Sequence, residues 1–198
     1  MGMVGAYALD PDTALMLRAA AGDGPSFELL LQRHRTSVVN HLYRFVHNRA
    51  IAEELAQEVF LRVFRSRLKY QPDAKFTTWL FRISTNVALN WRRDSRREAG
   101  LIRLDEDLGS RKVEVTDKAP RADEMLLNDH RAREIRAVVQ TLPPKQLAAV
   151  ILHKYEGMDY LEIADVLNCS IPALKSLLFR AYETLRRRLA HFARHPAS

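Results

Sequence analysis

Between Asp159 and Leu189 the chain reads DYLEIADVLNCSIPALKSLLFRAYETLRRRL, a pattern that few folds accommodate. Leu161, Ile163, Ala164 and Leu167 form one apolar face at helical spacing. Leu174, Leu177, Leu178, Ala181, Leu185 and Leu189 form a second, after a gap too short for anything but a tight turn. Asn168 stands where that turn needs a left-handed backbone, which Asn tolerates better than most non-glycine residues. Ser170 is placed to cap the next helix, and Pro172 lies in its first turn, where a missing N–H costs nothing. Ile171 would plug the turn into the core, and the small Ala164 lets the two backbones approach. The pattern predicts a helix-turn-helix, with an ordinary helical hairpin as the plainer alternative. In a DNA-binding unit of this kind the second helix enters the major groove with its first turns toward base edges. Lys175, Ser176 and Arg180 are then the candidate base or phosphate contacts. Arg186, Arg187 and Arg188 lie further along, where they meet phosphate or form a solvated helix end.

Helical spacing governs nearly all of the remaining chain, and no convincing alternating strand appears. Helices are predicted from about Thr13 to Ala21, from Pro25-Ser26 to about His47, from Ile51 to Leu68, and from Thr77 to Arg97. Another runs from about Lys145 to Tyr155, opened by Leu142-Pro143-Pro144 and stopped at Gly157. From about Glu98 to Asp123 the periodicity fades, and Gly100, Gly109, Ser110 and Pro120 sit among mixed charges. That stretch is too long for a tight loop and reads as a tether. The expectation is an all-α protein of two small helical domains joined by a flexible linker, at residues 10–97, 98–124 and 125–192.

Charge points to the partner. The net charge is +7, concentrated in RRDSRR (residues 92–97) and RRRLAHFARH (residues 186–195), with a mildly acidic stretch between. Two basic segments on a tether suit a polyanion gripped at two surfaces. No apolar run approaches the ~18 residues of a membrane span, and MGMVGAYALDPDT lacks a basic segment followed by an apolar one. A soluble cytoplasmic protein without membrane insertion is expected. A lone cysteine, Cys169, forms no internal disulfide, and the histidines show no metal-ligand spacing. With no phosphate-binding glycine loop and no nucleophile motif, neither a catalytic centre, a metal nor a cofactor is expected.

IAEELAQEVFLRVFRSRL carries more apolar surface than one core needs. Ile51, Leu55, Val59 and Val63 share one side, while Phe60, Leu61, Phe64 and Leu68 continue past the half-circle. Either this helix is buried in a three-helix core, or one flank meets another protein, with Glu54, Gln57 and Glu58 lending polar contacts. The next stretch, KYQPDAKFTTWLFRISTNVALNWRRDSRR, interleaves Tyr70, Phe76 and Trp79 with Lys69, Lys75 and Arg82. Aromatic faces stack on unpaired bases and cations neutralise phosphate, so this composition suits single-stranded nucleic acid. Asn86, Asn90, Arg92 and Arg93 would continue that surface. Trp79 and Trp91 could equally be core.

These blocks resemble a known family. FELLLQRHRTSVVNHLYRFVHN, followed by AEELAQEVFLRVFRSRLKYQPDAKFTTWLFRISTNVALNWRRDSRR, is similar to region 2 of bacterial extracytoplasmic-function sigma factors. LPPKQLAAVILHKYEGMDYLEIADVLNCSIPALKSLLFRAYETLRRRL resembles their region 4. The resemblance implies a promoter-recognition subunit of RNA polymerase. Glu54, Leu55, Gln57, Glu58, Phe60, Leu61 and Phe64 would then clamp a coiled coil of core polymerase. Lys69, Tyr70, Gln71, Lys75, Phe76 and Thr77 would hold a flipped base of the melted −10 element, with Arg82, Asn86, Asn90, Arg92 and Arg93 beside it. Ser170, Ala173, Lys175, Ser176, Phe179 and Arg180 would read the duplex −35 element. An anti-sigma factor is the further partner implied. The chain departs from the family where Thr-Val-Lys-Ser-Arg-Leu is usual and it has Ala173-Leu174-Lys175-Ser176-Leu177-Leu178, and where Tyr182 replaces a frequent Arg. Each lost bidentate base contact would remove about 1–3 kcal/mol of discrimination. The competing reading is a helix-turn-helix regulator acting without polymerase, which leaves the over-apolar helix and the aromatic-basic loop without a role.

Overall fold

The computed structural model describes residues 10–105 and 133–190, all helix, turn and loop among the described residues. α1 (Pro11–Ala20) starts at Asp10, whose carboxylate accepts the Thr13 N–H at 3.1 Å, and Pro11 fits the first turn. α2 (Gly24–Val46) ends where His47 takes a left-handed conformation, φ 51°. Asn48 then caps α3 (Arg49–Ser66), its side chain accepting the Ile51 N–H at 3.2 Å. A 3-10 turn, Arg67–Lys69, leads into the loop before α4 (Phe76–Asp105). The first three helices and the start of α4 bury Met16, Leu30, Leu42, Phe45, Val59, Phe76 and Leu80 among themselves.

α4 is longer than its sequence suggests. It runs past Arg97 and through Gly100 to Asp105, eight residues into the expected tether. A glycine inside a helix costs about 1 kcal/mol relative to alanine, too little to end one by itself. Residues 106–132, which hold most of the expected linker, lie outside the described residues, as does the tail from 191.

In the second half residues 133–140 are helical (α5), followed by α6 (Pro144–Lys154), α7 (Tyr160–Val166) and α8 (Ile171–Arg188). Leu142, Leu147, Ile151, Leu152, Ile163 and Leu174 form their core. The two halves touch. α7 lies against α4, and α6 lies against both α2 and α4.

Candidate nucleic-acid interface

The turn between α7 and α8 is built as its residues demand. Asn168 is left-handed at φ 47°, and the Cys169 N–H reaches back to the Ala164 carbonyl at 2.9 Å. Ser170 accepts the Ala173 N–H at 3.4 Å, and Pro172 sits in the first turn of α8. At the other end of α7 Asp159 and Glu162 form a capping box: each side chain accepts the other's backbone N–H, at 2.8 and 3.0 Å. α8 buries Leu174, Leu178 and Ala181 and presents Ala173, Lys175, Ser176, Phe179 and Arg180 outward, with Ser170 exposed at its cap. Phe179 is 70% exposed, an apolar ring left in solvent on a helix otherwise sorted by polarity. The Ser176 hydroxyl donates to the Pro172 carbonyl at 3.0 Å, so in this state it is turned along the helix. Tyr182 faces inward, its hydroxyl within 2.9 Å of His153 Nδ1, and burial raises its pKa. Tyr182 therefore packs from α8 against α6 and is not a substitute for a DNA-facing arginine.

The first half presents a second surface. Lys75, Arg82, Asn86 and Arg93 recur at spacings of seven, four and seven along α4 and its cap, which places them on one stripe, with Asn90 at its edge. Lys69, Gln71, Lys75, Asn86 and Arg93 are exposed, while Thr77, Arg82 and Asn90 are partly so. Three expected members of this surface are not on it. Phe76, 1% exposed, and Tyr70 are core residues. Tyr70 packs edge-on against Trp79 with centroids 4.9 Å apart, Phe76 lies 5.3 Å from the His34 ring, and the Tyr70 hydroxyl is 3.3 Å from Thr13 Oγ1. The loop's rings spend their faces on each other, so an aromatic-basic composition here marks a folded loop and not an open stacking platform. Arg92 is the third. Its guanidinium is buried, donating to the Phe45 carbonyl at 2.9 Å, to the Gln140 side chain, and to the Gln140 carbonyl at 3.2 Å.

On α3 the sequence expectation divides in the same way. Leu55 and Phe60 are buried, whereas Glu54, Gln57, Glu58, Leu61 and Phe64 face out. Phe60, Leu61 and Phe64 line a groove of about 330 Å³ whose other wall is Phe27, Leu31 and Val39 of α2. Phe27 and Phe64 meet edge-to-face at 5.1 Å across it.

Sequence reasoning missed the contacts between the halves. The Lys75 ammonium lies 2.9 Å from Glu162 Oε1, and Arg82 pairs with Asp165. Glu156, nearly buried, takes His41 Nδ1 at 3.1 Å and Arg44 at 3.5 Å, while the other His41 nitrogen meets Thr85 Oγ1 at 3.1 Å. Gln140 Nε2 donates to the Arg44 carbonyl at 2.9 Å and to His47 Nε2 at 2.6 Å. His47 has a lowered pKa, through burial first and then the positive charges of Arg136 and Arg92. Among the described residues no group of His, Cys, Asp and Glu could hold a metal ion, and Cys169 is free. No described helix is long and apolar enough to cross a membrane.

A helix-turn-helix with its reading face open, a basic helical stripe and an apolar groove define a multi-surface DNA-binding protein. Residues 30–98 match sigma-70 region 2, and residues 132–185 match sigma-70 region 4. The chain is 35% identical over 184 residues to the ECF RNA polymerase sigma factor SigE of Mycolicibacterium smegmatis, covering 91% of this chain and 69% of that protein. It is 30% identical over 181 residues to the ECF RNA polymerase sigma-E factor of Haemophilus influenzae, covering 90% and 95%. Among solved structures, CnrH in complex with the cytosolic domain of CnrY matches with a TM-score of 0.66 at 23% identity, over 92% of this chain and 99% of that one. The sigma factor RpoE in complex with the anti-sigma factor NepR, from Bartonella quintana, matches with a TM-score of 0.60 at 18% identity, over 83% and 96%. The chain belongs to the extracytoplasmic-function sigma factors of bacterial RNA polymerase. As such it is a transcription initiation factor that binds core polymerase and directs initiation at particular promoters.

Proposed function

We propose that the three surfaces divide the work of initiation. The α2–α3 groove, with Arg35, Glu53 and Gln57 as its polar lining, receives a helix of the polymerase coiled coil, and the exposed Glu54 and Glu58 extend that contact along α3. The α4 stripe holds the melted −10 strand, and the exposed face of α8 reads the −35 duplex. The observation that carries this reading is the pairing of an unfilled apolar groove, with Leu61 54% exposed at its lip, with a helix-turn-helix whose reading face is open. A solitary DNA-binding regulator has no use for the groove. Binding energy spent on unstacked bases favours the open strand, so melting needs no bond chemistry. On this reading the protein works in the cytoplasm, has no catalytic centre of its own, and is restrained by an anti-sigma factor. Structural likeness to CnrH and RpoE, each solved with a bound protein partner, supports that last point. We take 10–97 and 125–192 as the two domains, a reading supported by the matches at 30–98 and 132–185.

The test is Leu61→Asp in the full chain. The substitution adds a charge at an exposed position, so the fold should survive while binding to purified core polymerase falls at least tenfold, or about 1.4 kcal/mol. Wild-type affinity and wild-type promoter-specific initiation would sink the assignment of the groove. Phe60→Asp is the poorer probe, because Phe60 is buried and its loss would unfold the helix pair.

A further inference from the structure

We infer that the acidic face of α7 is a built-in competitor for the α4 surface: Glu162 and Asp165 occupy Lys75 and Arg82 where strand phosphates would otherwise sit. The inference rests on the reading of the α4 stripe as the −10 surface. The free chain keeps its duplex-reading helix open and two cations of its single-strand surface engaged, while Lys69, Asn86 and Arg93 stay exposed.

The selectivity of the closure is the argument. Lys75 and Arg82, at the first part of the stripe, both meet carboxylates from the other half. Arg92, on α4, is buried between the Phe45 carbonyl of its own half and Gln140 of the other. The three cations lie on α4 and its cap, and each bonds to a residue of the half of the molecule that reads duplex DNA. By contrast Lys175 and Arg180 on α8 face solvent, and so do Leu61 and Phe64 of the groove. Closure thus engages part of one surface and leaves two fully available, so contact with polymerase can precede opening.

The carboxylates are also well placed to let go. Glu162 and Asp165 lie three apart on one face of a short helix, so separating α7 from α4 frees both cations together. Glu162 serves twice, with Oε1 toward Lys75 and Oε2 on the Asp159 N–H, which fixes the side chain while it waits. The Nε atoms of Arg82 and Arg92 are buried without an acceptor among the described residues, a cost that opening relieves. A half-exposed ion pair is a weak tie that salt loosens. A latch of this kind holds against water but yields to a polyanion.

The experiment uses the full chain with paired fluorescent labels, one in each half, and two probes of mixed sequence, a single-stranded DNA and the corresponding duplex. Glu162→Gln and Asp165→Asn are combined. Gln keeps the capping-box acceptor and removes only the charge. Glu28→Gln, at an exposed position on α2, controls for net positive charge, its one-unit gain being scaled to the two units of the double variant. The double variant should lengthen the distance between the labels and tighten single-strand binding roughly fivefold, as two weak ties shift the competent population. Duplex binding should change no more than in the scaled Glu28→Gln control. Adding Lys75→Ala and Arg82→Ala to the opened variant should return single-strand binding to the wild-type level or below. An unchanged label distance, or a single-strand gain no larger than that of the scaled Glu28→Gln control, overturns the latch. If the chain opens and single-strand binding is indifferent to Lys75 and Arg82, the −10 assignment of those cations fails instead.

Discussion

Two lysine–arginine pairs, one on α8 and one at the start of α4, are proposed here to meet DNA, and the fold treats them in opposite ways. On α8 Lys175 and Arg180 point into solvent. On α4 and its cap Lys75 and Arg82 are held by carboxylates of the other half, and Arg92 is buried outright. The same chemistry is thus ready in one region and withheld in the other. A basic residue in the sequence reports what a surface can attract, and the folded partner decides when.

The aromatic residues give the largest expected difference. Phe76 and Phe179 were both expected at a DNA surface, yet one is 1% and the other 70% exposed. Phe76→Ala should cost about 3–5 kcal/mol of stability, the range for emptying a buried aromatic site. Phe179→Ala should stay within about 0.5 kcal/mol of wild type while weakening duplex binding. Urea unfolding of the two variants decides it. Equal destabilisation would erase the contrast between the regions.

A smaller effect separates the two lysines. Lys175→Ala should reduce −35-dependent initiation about tenfold, near the lower end of the 1–3 kcal/mol range for one good contact, with polymerase binding intact. Lys75→Ala should cost less in the closed chain, because it removes a DNA contact and a restraint together. Comparing both on a −35/−10 template and on a template lacking the −35 element measures the difference. A larger loss for Lys75→Ala on both templates would mean that Glu162 does not restrain it.

What was legible in the sequence was local. Asn168, Ser170 and Pro172 each meet a backbone requirement within a few residues, and all three behave as their chemistry demands. Helical periodicity likewise located the helices and the open face of α8. Long-range pairing was not legible. Nothing near Glu162 or Asp165 announces that it will meet a cation over eighty residues away, since a charge on a solvated helix face and one on a partnered face read alike. Phe76 and Tyr70 failed for the related reason that a loop rich in rings and cations can turn its rings inward. α4 outran its expected end because one glycine is a weak stop without a cap beyond it.

The smallest effect is the most specific to closure. His47 lies at the contact between the halves, with Gln140 Nε2 donating to its Nε2 at 2.6 Å, the Tyr43 ring edge-on at 5.6 Å, and Arg92 and Arg136 nearby. An amide N–H needs an unprotonated acceptor, so the closed chain favours neutral imidazole. Its pKa is lowered from 6.5, which means the opened chain binds the proton more tightly. The contribution to closure is therefore complete above pH 6.5 and is lost progressively as pH falls toward the lowered value. Moving from about pH 7.5 to about pH 5.5 should lengthen the distance between labels on the two halves. His41 and Glu156 also face this contact, so acidification alone does not isolate His47. His47→Asn does, because Asn tolerates the left-handed backbone that His47 adopts. That variant should flatten the pH response while leaving unfolding in urea nearly unchanged. An equally steep response would place the proton sensitivity outside His47, and would leave the Gln140–His47 contact as packing alone.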